Sequence, residues 1–163
     1  MLKDYQEQLL KLLEQLEISM SNLYKLFVEK YPQYKELWIY MSQQEMEHAG
    51  AVKKLTLMAQ DGKLFFDEKL TRTYTVKKVL DTVKETYAQA ESNQLSLIGA
   101  LSVSRDFEQS ILEKEFYNYF SGNDPDVRIL LHRLKQETME HQSRVKDAWE
   151  QERKIALRPL RKI

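Results

Sequence analysis

YKELWIYMSQQEMEHAGAVKKLTLMA, residues 34–59, repeats a set of side chains at 34, 38, 41, 45, 48, 52, 55 and 59: Tyr, Trp, Met, Glu, His, Val, Leu and Ala. Steps of three and four residues line one face of an α-helix, so this stretch predicts a long helix with a buried stripe. Two polar residues interrupt that stripe near its middle. Glu45 and His48 stand one helical turn apart on a face that is otherwise apolar, and buried polar groups of this kind need partners.

Working outward, the same period runs upstream through Leu9, Leu10, Leu13, Leu16, Met20, Leu23, Tyr24 and Phe27, and breaks at Tyr31-Pro32 because proline cannot continue a helix. Helix A is predicted over 3–30 and helix B over 33–60, with Asp61-Gly62 as its stop. Residues 62–74 carry no clean period and read as a loop. A shorter helix is expected over 75–90, helix C over 92–120, and helix D from the turn Ser121-Gly122-Asn123-Asp124-Pro125 to about 154. The bundle is expected to span 1–155 as a single domain, with 156–163 a basic C-terminal tail.

Composition agrees and excludes. The 163 residues hold 4 Gly and 3 Pro, too few turn residues for a many-stranded sandwich or barrel, and 31% charged beside 42% apolar residues suits amphipathic helices. There is no cysteine, which removes disulfides, iron–sulfur clusters, thiolate zinc sites and thiol nucleophiles. Any metal here must be held by nitrogen and oxygen. Twenty-five basic against 25 acidic residues argues against a nucleic-acid partner, and no apolar run suggests a membrane span. A cytoplasmic location is the expectation.

The stripes of the other helices are interrupted in the same way: Glu17 in helix A, Glu108 in helix C, Thr138 and His141 in helix D. Glu17 precedes Pro32 by 15 residues and Glu45 follows it by 13, so at about 1.5 Å per residue both lie roughly 20 Å from the turn. Glu108 and Thr138 are each 15 residues from Asn123, with His141 one turn further. The groups fall in one layer. Three Glu and two His buried together call for compensation, and a pair of divalent metals supplies it, carboxylate oxygens bridging and imidazoles completing the coordination. The layout is that of di-metal carboxylate proteins, in which two helices give one Glu each and two give Glu-x-x-His. Helix B satisfies the second pattern with Glu45 and His48. Helix D does not: Thr138 stands where Glu is expected, and Glu137, four residues before His141, is the candidate substitute.

Two short-turn hairpins joined by a long crossover predict an all-α, ferritin-like four-helix bundle. Residues 16–49 (LEISMSNLYKLFVEKYPQYKELWIYMSQQEMEHA), 100–120 (ALSVSRDFEQSILEKEFYNYF) and 134–145 (LKQETMEHQSRV) resemble the rubrerythrin-like branch of the ferritin-like superfamily. The resemblance implies a di-iron centre, with manganese as an alternative metal, held by Glu17, Glu45, His48, Glu108 and His141, with Glu137 as the sixth ligand. It also implies reduction of hydrogen peroxide or dioxygen and an assembly into homodimers. The cysteine-bearing rubredoxin module of full-length rubrerythrins is absent, so an external electron-donor protein is expected. Iron sequestration, or a non-catalytic helical module with a vestigial site, are the competing functions.

Overall fold

The computed structural model describes residues 1–158 other than Glu115, and of Glu113 the backbone alone. Five helices carry most of these residues: α1 Asp4–Lys30, α2 Lys35–Gln60, α3 Thr73–Glu91, α4 Leu97–Glu113 and α5 Pro125–Ala156. The only strands among the described residues are β1 Phe65–Phe66 and β2 Phe120–Ser121, an antiparallel pair. The fold is all-α, as the periodicity predicts. None of its described helices is long and apolar enough to cross a membrane. Residues 159–163 of the expected basic tail lie outside the described residues.

α1 and α2 are antiparallel, reversed by a 3-10 turn at Pro32–Tyr34 that opens on the proline. Two small residues exchange hydrogen bonds across the pair: Ser21 Oγ donates to the Ser42 carbonyl at 2.7 Å, and Ser42 Oγ to the Ser21 carbonyl at 3.0 Å. That clasp sets the register of the two helices. Glu17, one turn before Ser21, and Glu45, three residues after Ser42, are thereby held at one height. Around them Leu13, Leu16, Met20, Tyr24, Phe27, Trp38, Met41, Val52 and Leu55 form the apolar core.

The crossover is traversed by α3, which is parallel to α1. Near its start Tyr5 donates to Glu68 at 3.1 Å, and beyond its end Lys30 reaches the Glu91 carbonyl and Asn93 Oδ1. Val76, Val79, Leu80 and Val83 bury its inner face. At 19 residues α3 is shorter than α1, with 27, but longer than α4, with 17. It returns the chain to the end from which α4 can run antiparallel to α1, where Tyr31 donates to the Leu95 carbonyl at 2.6 Å.

Helix C departs most from expectation. It begins at Leu97 rather than 92, because Asn93 takes a left-handed conformation (φ 58°) that ends α3, and Ser96 then caps α4 by accepting from the Gly99 N–H. It stops at Glu113 instead of 120. The chain then folds into a 3-10 turn at Phe116–Tyr119 and into β2, where Phe120 packs on Phe66 with ring centroids 5.3 Å apart. Burying Phe116, Tyr119 and Phe120 in this way replaces two further helical turns.

Gly122 seals the junction between β2 and α5. A Cβ there would meet the Lys63 carbonyl oxygen at 2.7 Å and Val127 Cγ1 at 2.8 Å. Both neighbours are fixed, one as backbone and the other as a fully buried side chain. Gly122→Ala is therefore expected to destabilise by about 1–3 kcal/mol, the usual cost of overpacking. A denaturant melt with an unshifted midpoint would show that the junction yields.

Candidate metal centre

Four helices bring Glu17, Glu45, His48, Glu108 and His141 together in the core, each at most 5% exposed. Glu45 is the centre of the group. Its Oε2 lies 3.1 Å from His48 Nδ1 and its Oε1 lies 3.0 Å from His141 Nδ1, so one carboxylate faces two imidazoles with one oxygen each. Glu17 Oε2 is 4.0 Å from His48 Nδ1, and Glu108 Oε2 is 3.8 Å from His141 Nδ1. The imidazoles stack, centroids 5.0 Å apart at 23°. Each histidine is thus flanked by one private carboxylate and half of a shared one.

Burial opposes ionisation throughout the group, and the partners decide which side chain stays charged. The Glu17 and Glu108 carboxyls are raised well above the usual carboxylate range by burial and then by the charge of Glu45. Glu45 is also penalised by burial, yet the facing imidazoles hold its carboxyl well below that range. For His48, burial works against the cation, but Glu45, Glu17 and Glu137 lift it to about 9. In the metal-free layer burial thus favours the protonated forms of Glu17 and Glu108, the carboxylates favour the His48 cation, and Glu45 is the carboxyl that its partners keep ionised.

The polar atoms left over test whether a metal fits. Glu17 Oε2, Glu45 Oε1 and both ring nitrogens of His141 are buried without a hydrogen-bond partner. Glu45 Oε1 and His141 Nδ1 approach to 3.0 Å, yet they are not aligned to bond each other. Buried polar groups are almost always satisfied, and a carboxylate oxygen and an imidazole nitrogen that converge without bonding each other are what a cation completes. Glu45, His48 and His141 place one ligand atom each within 4.8 Å of one another, a group that could hold a metal ion. Carboxylate with imidazole suits iron, manganese or zinc.

Glu137 takes a different place from the one its spacing suggested. Its Oε2 lies 3.0 Å from His48 Nε2, the ring nitrogen facing away from the cluster, and the side chain is a quarter exposed beside Arg133. From there it orients the imidazole and sets which nitrogen faces Glu45, as carboxylates behind metal-bound histidines do. Glu137→Gln is expected to weaken metal binding about 10–100-fold without removing it. A competitive chelator titration that finds unchanged affinity would remove this role.

Tyr24 donates to Glu108 Oε1 at 2.7 Å and stacks on Trp38 with centroids 6.0 Å apart, which fixes the rotamer of Glu108. Thr138 is fully buried at the layer, its hydroxyl donating to the Leu134 carbonyl at 2.9 Å and hydrogen-bonded to Tyr117. Sequence periodicity misses Tyr117 because it reads residues 114–120 as more of helix C. No protein-family model, curated protein or solved structure matches this chain. Its function must be argued from this cluster.

Proposed function

We propose that this chain is a di-metal carboxylate oxidoreductase of the rubrerythrin-like kind, binding two iron ions and reducing hydrogen peroxide or dioxygen with electrons from an external donor protein. The observation that carries the reading is Glu45, one carboxylate with an oxygen facing each of two histidines. Each half of the site then has one further carboxylate, Glu17 beside His48 and Glu108 beside His141. A ferritin-like four-helix arrangement is part of the same proposal, supported by α1, α2, α4 and α5 each contributing to one layer.

Two iron ions, when bound, supply the two electrons that cleavage of one O–O bond consumes. The chain's own residues do the rest. Leu13, Val52, Leu55 and Leu134 keep bulk water from the carboxylates, which strengthens every charge interaction inside. Tyr24 holds Glu108 in place, and Glu137 holds His48. These 163 residues hold no cysteine for an iron–sulfur or dithiol relay, which is why an external donor is part of the proposal.

Reduced iron-loaded protein mixed with hydrogen peroxide is the direct test. Oxidation of bound iron, followed by stopped-flow absorbance, is expected to outpace oxidation of the same concentration of free Fe(II). Iron that binds but oxidises no faster than in buffer would leave a metal-binding protein without this activity.

A further inference from the structure

We propose that Tyr117 is an oxygen ligand of the metal site, its phenolate taking the place of the carboxylate that a Glu at position 138 would supply. The inference rests on the metal-binding reading above and adds a donor of another chemical class. Tyr117 comes from the 3-10 turn that replaces the last turns of α4, and its hydroxyl meets Thr138 Oγ1, three residues before His141. A threonine hydroxyl has one proton, and Thr138 donates its proton to the Leu134 carbonyl. The bond between the two hydroxyls is therefore donated by Tyr117, and the phenol's lone pairs are left uncommitted.

Tyr117 also shares a cavity with Glu17. That cavity, about 20 Å³, is lined by the two together with Leu13, Val52, Leu55 and Ile111, and its other described walls are aromatic or aliphatic. Such a space holds about one water-sized group. Glu17 Oε2 is buried without a hydrogen-bond partner. Among the described residues, the oxygen-bearing side chains of this wall are thus a carboxylate with one oxygen lacking a partner and a phenol with free lone pairs.

Charge points the same way. Glu17, Glu45 and Glu108 supply three negative charges against the four positive charges of two divalent ions, and one phenolate closes the difference. In the metal-free fold, burial holds the phenol proton in place. A bound cation reverses that field. On coordination the O–H bond breaks, an oxygen–metal bond forms and the proton leaves to the buffer; no electron moves.

Iron provides the readout, because phenolate bound to Fe(III) absorbs visible light by ligand-to-metal charge transfer. The full chain is loaded with Fe(II) under argon, and air is then admitted so that dioxygen oxidises the iron. Wild type is expected to develop the band, Tyr117→Phe to bind iron without it, and Tyr31→Phe, at the far end of α1 where the hydroxyl meets the Leu95 carbonyl, to retain it. Tyr117→Phe combined with Thr138→Glu, which restores a carboxylate, is expected to bind iron and stay without the band. A colourless iron-loaded wild type, or a band that survives Tyr117→Phe, overturns the ligand assignment while leaving the metal site standing. A wild type that takes up no iron overturns both.

Discussion

Glu45→Gln is expected to reduce bound iron or manganese from near saturation to background, measured by elemental analysis after loading and desalting. Glu45 faces both histidines, so its loss takes one oxygen from each half of the site at once. Among the described residues no neighbour replaces it: Glu17 and Glu108 are each near one imidazole, and Glu137 sits behind His48. Glutamine preserves the volume of the buried side chain, and the fold is expected to survive, because the change also relieves Glu17 and Glu108 of the charge that raises them. His48→Ala should remove half of the site and a correspondingly smaller share of metal. Glu140→Gln, at an exposed carboxylate paired with Arg144, is the control and should change nothing. Metal content indifferent to both Glu45 and His48 would mean that the cluster is a hydrogen-bonded core and no more.

Much of this was legible in residue spacing, and the exceptions share a cause. α1 and α2 end within a residue or two of their expected limits because Pro32 and Gly62 punctuate them with chemistry that acts locally. The layer of Glu17, Glu45, His48, Glu108 and His141 was legible for a similar reason, since polar residues in an apolar stripe are visible without knowing any partner. Phe116, Tyr119 and Phe120 also keep helical spacing, but the pairing of Phe120 with Phe66 across 54 residues decides their conformation. No local signal carries that. Glu137 and Tyr117 were obscure in the same sense: the role of the first depends on which ring nitrogen of His48 it meets, and the second reaches Thr138 only because α4 stops early.

Metal binding should also appear as thermal stability, with a pH dependence whose sign follows from the layer itself. Metal bound only by the folded chain at about 1,000 times its Kd stabilises by roughly 4 kcal/mol. For a domain of this size each kcal/mol moves Tm by about 2–4 °C, so saturation against chelation should separate the melts by about 10 °C. Metal competes with the protonated forms that burial favours on Glu17 and Glu108 and with the His48 cation, so its affinity rises with pH. The metal-free fold moves the other way. His48, raised to about 9, contributes stability that is fully present below its ordinary value near 6.5 and is lost as pH rises through about 9. The raised carboxyls of Glu17 and Glu108 act in the same direction, since holding a proton favours the buried form. The gap between metal-loaded and chelated Tm is therefore expected to widen from pH 6 to pH 8.5 in paired scanning-calorimetry runs. A gap that is constant, or that narrows over this range, would mean that the metal enters without displacing these protons and is bound somewhere other than the Glu45 layer.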